Sequence, residues 1–372
     1  MHRILLLGAG KIGRAIATLL ARSGDYDILV GDVEDKALAR LAGTAHIDTR
    51  RLDVTDQGQL ASAMAGRTSV VSACSFTVNP GIARAALASG ASYFDLTEDV
   101  ATTREVASLA AQAGPGQIFM PQSGLAPGFI AIAGHHLTKS FDSLDEVRLR
   151  VGALPQFPVG ELKYNLTWST DGLINEYCNP CEVIHEGARM DVLPLEGLEH
   201  FSLDGVDYEA FNTSGGVGSL WETLHGRVRT LDYKTIRYRG HRDLIAFLVN
   251  ELRLSHRRAL LKDILEQAVP ITLQDVVLIF CTVTGWKGGY LTQVTDARKI
   301  YHRAIDGEPW SAIQITTAAA LCTVLDLHHA GMLTTTRGLV RQEEVDLVAF
   351  LANRFGRMYQ DAGHPLPIPP CP

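Results

Sequence analysis

The chain has 372 residues, of which 46% are hydrophobic and 20% charged, and its formal net charge is −7. This length exceeds what one hydrophobic core usually holds, so we expect two domains or one domain with a large insertion. The composition excludes a disordered chain, and the lack of a basic cluster argues against nucleic acid as a main partner. We therefore expect a small-molecule partner.

Targeting and metal signals are weak in this sequence. No apolar run approaches the roughly 20 residues of a membrane span, so we expect no membrane partner and a cytoplasmic protein. The six cysteines are scattered, as is typical of a reduced compartment. Only Cys178 and Cys181, with His185 close behind, are spaced like metal ligands, and a structural zinc needs about four ligands. We predict no metal site.

From Arg3 to about Met120, short apolar runs alternate with helical stretches. The runs read RILLLGAG, IGRAIATLLARS, DILVGD, DKALARLA, SVVSAC, GIARAALAS, ASYFDL, REVASLAAQA and QIFM. Strands that alternate with helices form a parallel, doubly wound sheet. Residues 1–128 are therefore predicted to be an α/β domain of the Rossmann type.

After Gly128 the pattern changes to that of antiparallel strands. The segments are ELKYNLTWS, CEVIHEGARMDV, HFSLDGVDYEAF, RTLDYKTIRY and DVVLIFCTVTG, with hairpin turns at Glu186-Gly187 and Asp204-Gly205. Residues 129–310 are predicted to form an inserted α+β domain with a mixed sheet. In residues 311–372, SAIQITTAAALCTVLDLHHAG and VDLVAFLANRFG predict helices that return to the first domain, followed by an extended tail, HPLPIPPCP.

The first strand runs into the sequence GAGKIG at the start of a helix. Gly8 permits a tight turn, Gly10 lets the backbone approach a pyrophosphate, and Gly13 lets helix and strand pack closely. The N–H groups at the helix start, including those of Lys11 and Ile12, then receive the phosphates. A glycine triplet alone is a weak signal, and its position between strand and helix strengthens it.

The second strand ends in Asp32, 19 residues after Gly13, where an acid accepts hydrogen bonds from the adenosine ribose. A ribose 2′-phosphate would be repelled there, and Lys36 is the only nearby cation in the sequence, so we predict NAD rather than NADP. The alternative is that Asp32 only caps the next helix. Further cofactor contacts are expected where strands end, at Asp53, Val54, Ser75 and Phe76.

Polar side chains in the loops above these strand ends are the candidates for chemistry. Asp95, in YFDLTED with Glu98 and Asp99, is a candidate catalytic carboxylate that could hold a substrate ammonium group. The alternative is that these acids cap the following helix. The turn PQSGLAPGF places Ser123 as a substrate-binding candidate at a helix start.

In the second domain, NTSGG and YKTIRYRGH concentrate hydroxyls and cations. Thr213 is a substrate-binding candidate, and Arg237 is suited to a bidentate grip on a carboxylate. Lys234 and His241 are catalytic candidates because partial burial would bring their pKa values near neutrality. Strand alternation puts Lys234 and Arg237 on opposite faces, so at most one need lie in the site.

A third group, in YNLTWSTDGLINEY, could form a wall of the pocket. Tyr164 is the substrate-binding candidate, with Trp168, Asp171 and Asn175 beside it. The alternative is that these aromatic residues belong to the core.

These motifs together resemble the saccharopine dehydrogenase-like superfamily, and most closely its lysine 6-dehydrogenase branch. The similarity rests on GAGKIG with Asp32, SGLAPGF, WSTDGLINEY, EAFNTSGGVGSL, YKTIRYRGH and IQITTAAALCTVLDL, in that order. The resemblance implies a Rossmann domain interrupted by a catalytic domain, and homodimers or larger assemblies built through the inserted domain.

The implied activity is NAD-dependent oxidative deamination at the ε-carbon of L-lysine, giving an aminoadipate semialdehyde that cyclises to a piperideine carboxylate. One alternative is a saccharopine or carboxynorspermidine type reductase that forms or cleaves a secondary amine. Saccharopine-forming relatives often carry an acid in the turn that here reads GLAPG and a cysteine where Ser123 stands, which argues against saccharopine as substrate. The second alternative is a non-catalytic NAD(H)-binding sensor.

Overall fold

The N-terminal sheet is parallel and doubly wound, as predicted. The computed structural model describes residues 1–360, so the tail expected to be extended lies outside the described residues. The strands are β1 His2–Leu7, β2 Tyr26–Asp32, β3 Ile47–Arg51, β4 Ser69–Ser72, β5 Ser92–Asp95 and β6 Ile118–Met120. The helices between them are α1 Lys11–Ser23, α2 Asp35–Ala39, α3 Gln57–Met64, α4 Asn79–Ser89 and α5 Val100–Ala110.

The second sheet is mixed, also as predicted. Its strands are β7 Ser143–Pro155, β8 Cys181–His185, β9 Ala188–Val192, β10 Glu199–Leu203, β11 Val206–Asn212, β12 Thr230–Tyr238, β13 Asp275–Lys287 and β14 Tyr290–Tyr301. They run in the order β10-β11-β12-β7-β13-β14, and β12 pairs with β7 in parallel. The strand β8 pairs with β12, and β9 pairs with β8. The helices of this part are α6 Phe129–Thr138, α7 Thr170–Cys178, α8 Leu220–Leu224, α9 His241–Ala246 and α10 Arg258–Ala268.

The hairpin turns at Glu186-Gly187 and Asp204-Gly205 are confirmed. All four residues have φ between +49° and +78°, the left-handed conformation that a tight two-residue hairpin requires. The strand expected over ELKYNLTWS is wrong. The backbone of Leu166 instead donates to the carbonyl of Pro270, so this segment pairs with a loop and not with a sheet edge.

The C-terminal part returns to the first domain as expected. A small hairpin, β15 Arg303–Ile305 and β16 Glu308–Trp310, leads into α11 Ala312–His329, which packs along α1. The Asp275 carboxylate accepts the N–H groups of Ala312 and Ile313 at 2.5 and 3.1 Å, so the second sheet fixes the start of α11.

Beyond α11, the described chain adds one strand that the sequence analysis did not predict. The strand β17 Gly338–Leu339 extends the first sheet to the order β17-β6-β5-β4-β1-β2-β3, and α12 Leu347–Ala352 follows. Within residues 1–360 no helix is both long enough and apolar enough to cross a membrane. The division into 1–128, 129–310 and 311–372 stays a prediction.

Candidate functional site

The glycine turn between β1 and α1 has the geometry that a dinucleotide needs. Gly8 has φ +96°, and a Cβ there would lie 2.8 Å from the carbonyl oxygen of Ala73. A Cβ on Gly13 would lie 1.9 Å from the Gly8 oxygen, whereas a Cβ on Gly10 would meet no atom within 4 Å. The turn is therefore closed where helix and strand pack and open where a pyrophosphate would approach. These residues fit a bound dinucleotide.

Asp32 stands at the end of β2 beside this turn. Its Oδ2 accepts the Ala9 N–H at 2.6 Å and its Oδ1 accepts the Glu34 N–H at 2.9 Å, while α2 has no side-chain cap. The expectation that Lys36 is the only nearby cation is wrong. Arg51 pairs in register with Asp32, and its Nε donates to the Val33 carbonyl at 3.3 Å. A cation therefore lies beside Asp32.

The remaining predicted cofactor residues divide into two groups. Ile12, Ser75 and Phe76 line a cavity that continues from the glycine turn. Asp53 is exposed, and its Oδ1 accepts the N–H and hydroxyl of Thr55, while Val54 packs against the core of the first domain. Lys11 lies at the start of α1, where partial burial lowers its pKa.

The cavity lies between the carboxyl ends of the first sheet and one face of the second sheet, and its volume is about 170 Å³. The turn 124–127, at the start of α6, forms part of its wall. Other side chains in its lining are Glu98, Tyr164, Trp168, Glu176, Tyr233, Thr235, Arg237, Ile313 and Thr317. This is the crevice where open α/β sheets bind their ligands.

Two carboxylates face this cavity with an oxygen that has no hydrogen-bond partner. They are Glu98, from the loop between β5 and α5, and Glu176, from α7. Burial raises the pKa of each carboxyl to about 7. Ionised carboxylates in such surroundings are stabilised by a bound cation.

Arg237 is the cation among the residues that line the cavity. Its Nη2 lies 3.6 Å from Glu176 Oε2, its Nη1 donates to the Thr235 hydroxyl at 2.6 Å, and its guanidinium stacks 4.7 Å from the centre of the Tyr164 ring. Tyr233 and Thr235 share its face of β12. The prediction that Arg237 and Lys234 point to opposite faces agrees with this arrangement.

His241 lies behind this wall and does not line the cavity. Its Nδ1 is 2.8 Å from the Leu162 carbonyl, which can only accept, so Nε2 accepts from the Tyr177 hydroxyl at 3.0 Å. Tyr177 in turn accepts from Arg237 Nε at 3.1 Å. Burial, with the charge of Arg237, lowers the pKa of His241 to about 3. His241 is therefore neutral and is held between Leu162 and Tyr177, outside the lining of the cavity, so its catalytic role stays a prediction.

Lys234 and Asp95, the other predicted catalytic residues, also lie away from the cavity. Lys234 Nζ donates to the Gly197 carbonyl at 2.6 Å and to Glu199 Oε1 at 2.5 Å, on the other face of the sheet. Asp95 is fully buried and accepts from the Thr97 N–H, the Gln122 N–H and the Tyr93 hydroxyl. Both side chains are hydrogen-bonded to protein groups, and neither belongs to the lining of the cavity.

The predicted substrate-binding residues are only partly brought together. Tyr164 and Arg237 line the cavity, but Ser123 donates to the Met120 carbonyl and Thr213 is buried outside the lining. Of the wall residues, Trp168 lines the cavity, while Asp171 and Asn175 border a neighbouring depression. The helix-cap alternative holds for Asp99, whose carboxylate accepts the Thr102 N–H.

Glu176 was not predicted as a site residue, although it lies in the segment WSTDGLINEY. Glu98 approaches α7 because residue 172 is a glycine: a Cβ there would lie 2.9 Å from Glu98 Oε1 and 2.5 Å from the Trp168 ring. Glu176 follows one turn later, on the same side of the helix. A glycine and an acid four residues apart in WSTDGLINEY were the available signal.

Among residues 1–360, no three histidine, cysteine, aspartate or glutamate side chains are grouped closely enough to hold a metal ion. Cys178, Cys181 and His185 therefore do not form a ligand set with a further acid or histidine. The expectation of no metal stays a prediction.

The glycine turn, its acidic neighbour and the adjoining cavity define a pyridine-nucleotide-binding protein of the Rossmann type. A family model described as saccharopine dehydrogenase NADP binding domain matches residues 4–120, and one described as saccharopine dehydrogenase C-terminal domain matches residues 124–357. The chain belongs to the saccharopine dehydrogenase family.

Curated relatives of the chain are distant and longer. It is 24% identical over 274 residues to saccharopine dehydrogenase [NADP(+), L-glutamate-forming] of Saccharomyces cerevisiae, covering 66% of this chain and 57% of that protein. It is 23% identical over 307 residues to mitochondrial alpha-aminoadipic semialdehyde synthase of Bos taurus, covering 76% of this chain and 31% of that protein. The chain thus spans less than two thirds of the length of either relative.

Solved structures share the fold over most of the chain. The apo saccharopine dehydrogenase (L-Glu forming) of Saccharomyces cerevisiae matches with a TM-score of 0.75 at 17% identity, covering 94% of this chain and 96% of that one. The homospermidine synthase of Legionella pneumophila in complex with NAD matches with a TM-score of 0.63 at 14% identity, covering 96% and 89%. At these identities the similarity establishes the fold alone.

Proposed function

We propose that the protein is an NAD-dependent oxidoreductase that acts on a carbon–nitrogen bond of an amino acid. The proposed substrate is L-lysine, whose ε-amino group would be removed to give aminoadipate semialdehyde and, after cyclisation, piperideine-6-carboxylate. The observation that carries the proposal is the charge of the cavity, whose lining contains two carboxylates, Glu98 and Glu176, and one cation, Arg237. This set suits a ligand with more ammonium than carboxylate groups.

The same charge count argues against saccharopine, which carries three carboxylates. Arg237 is the one arginine or lysine among the side chains that line the cavity in the described chain. Two carboxylates of such a ligand would therefore meet Glu98 and Glu176 without a partner, and unpaired buried charge is strongly unfavourable. A secondary-amine reductase of the saccharopine or carboxynorspermidine type is the second candidate, and the similarity to saccharopine dehydrogenase and homospermidine synthase favours it.

The nucleotide would be held by the turn from Gly8 to Gly13, with the adenosine ribose against Asp32. A bound pyridine nucleotide supplies the hydride acceptor for the reaction. We propose NAD because Asp32 would repel a 2′-phosphate, and Arg51 is the residue that would favour NADP. The choice between the two nucleotides is therefore a direct test of these two side chains.

The protein side chains would bind and orient the substrate. Arg237 would pair with the substrate carboxylate, and Tyr177 and His241 keep its guanidinium in place through the hydrogen bonds described above. The ammonium group would lie near Glu98 and Glu176, and Tyr164 and Trp168 would exclude water around it. Orientation of this kind supplies much of the rate of an enzymatic reaction.

An assay of nucleotide reduction and oxidation separates the candidates. The proposal expects NADH formation with L-lysine alone, whereas a reductase would consume NADH only when an amine and a carbonyl compound are both present. A protein that binds NADH but turns over no basic amino acid, diamine or amine–carbonyl pair would be the non-catalytic sensor. The homodimeric or larger assembly and the cytoplasmic location stay predictions.

A further inference from the structure

The two acids of the cavity outnumber its cation. Glu98 Oε1 and Glu176 Oε2 are both buried without a hydrogen-bond partner, and both belong to the lining of one cavity. Arg237 can balance one negative charge. Two carboxylates that share a site with one counter-charge retain a proton on one of them until another cation enters.

The surroundings of the two acids decide which one keeps the proton. Arg237 lies 3.6 Å from Glu176 and favours its ionised form. The negative charges of Asp99 and Asp95 oppose the ionisation of Glu98, whereas the Asn175 amide and the Glu98 backbone N–H favour it. The charge of Glu98 likewise opposes the ionisation of Glu176. The difference between the two acids is the ion pair, because Arg237 reaches Glu176 and no salt bridge among the described residues reaches Glu98. The titratable and charged groups around the pair come from several elements. They are Asp95 at the end of β5, Asp99 in the loop after it, Tyr164 in the irregular segment, Tyr177 on α7, Cys181 at the start of β8, and Tyr233 and Arg237 on β12.

We propose that the empty cavity keeps one proton on the Glu98–Glu176 pair, that Glu98 holds it, and that an entering ammonium group releases it to solvent. The ionised Glu98 is then the catalytic base: an N–H bond of the bound ammonium breaks, an O–H bond forms on Glu98, and the nitrogen keeps the electron pair. The base role rests on the proposed function. The shared proton does not rest on the proposed function, because it follows from the arrangement of Glu98, Glu176 and Arg237 in the ligand-free protein.

The test is a proton count made without nucleotide and without turnover. L-lysine is titrated into the protein by calorimetry at about pH 6.5, in buffers with different ionisation enthalpies, so that the buffer-dependent heat gives the protons released. We expect about one proton released per lysine bound by the wild-type protein and none by Glu98→Gln. The matched control is Glu105→Gln, which changes an exposed acid paired with Arg84 and should release the same proton as the wild type.

A second measurement does not need lysine to bind. Infrared difference spectra of the ligand-free protein, recorded across neutral pH, should contain the band of a protonated carboxyl that Glu98→Gln removes and Glu105→Gln retains. Burial also raises the pKa of Asp275 to about 7, so a second band that all these variants retain is expected from that carboxyl. If the band is absent from the wild type, or survives in Glu98→Gln and disappears in Glu176→Gln, the assignment is overturned. If the wild type has the band and Glu98→Gln loses it, but the protein does not turn over lysine, the proposed function alone is refuted.

Discussion

Replacing Glu98 by glutamine should stabilise the protein at alkaline pH while it damages the site. The Glu98 carboxyl lacks a cationic partner, and burial raises its pKa to about 7 from the ordinary 4.5. Between these two values the folded state binds more protons than the unfolded state, so the free energy of unfolding falls as pH rises. The destabilisation is absent below about pH 4 and complete above about pH 8.

The size of the effect follows from the shift. A rise from 4.5 to about 7 corresponds to ~3 kcal/mol, since each pKa unit is worth about 1.4 kcal/mol. Glutamine resembles the neutral acid and carries no charge to bury. Glu98→Gln should therefore match the wild type near pH 4 and exceed its free energy of unfolding by about 2–3 kcal/mol near pH 8, allowing for relaxation of the ionised site.

Urea unfolding of both proteins at these two pH values measures the difference, with Glu105→Gln as the surface control. Groups that titrate alike in both proteins cancel when the free energy of unfolding of the wild type is subtracted from that of the variant. A gap that is the same at both pH values, or that shrinks as pH rises, would refute the claim that Glu98 is a buried, unpaired carboxyl. The control should show no gap, because its carboxylate is half exposed.

Three further substitutions probe other parts of the site. Asp32→Ala should weaken NAD binding and reduce the preference of the protein for NAD over NADP, and Arg51→Ala should weaken NADP binding alone. Titration of both proteins with both nucleotides measures these affinities. An unchanged preference in Asp32→Ala would show that Asp32 does not contact the ribose. Arg237→Ala should raise the substrate constant ~30-fold or more with little change in nucleotide affinity, as for loss of a buried charge partner; equal effects on both constants would contradict its role as carboxylate anchor. Gly172→Ala should lower kcat/KM and alter tryptophan fluorescence, because the new Cβ would lie 2.5 Å from the neighbouring indole ring, whereas Gly81→Ala, in a helix with its nearest contact at 3.9 Å, should do neither.

The cofactor turn could be predicted because its determinants are local. The glycines and the strand–helix context fall within one short segment, and each glycine has a steric reason that the structure reproduces. Arg51 was missed because it meets Asp32 only through the pairing of β2 with β3. Neighbours across a sheet depend on strand order, which a single sequence does not specify.

The proximity of Glu98 and Glu176 could not be predicted, because they lie 78 positions apart in the sequence. Glu98 can approach α7 because residue 172 is a glycine. Lys234 and His241 were predicted to be catalytic because of their residue type. In the fold, Lys234 pairs with Glu199 and His241 is hydrogen-bonded to Tyr177. Residue type marks which side chains can titrate. The partners that decide whether they do so in a site come from tertiary packing.

The return of the chain to the first domain also completes the site. Ile313 and Thr317, on α11, line the cavity, and the Gln314 side chain donates to the Lys11 carbonyl of the cofactor helix at 3.4 Å. The start of the same helix is held by Asp275 on the second sheet. One helix therefore contacts the nucleotide turn, the cavity and the sheet that carries Arg237. Because these three contacts belong to one rigid element, a change in how α11 packs would alter nucleotide and substrate binding together.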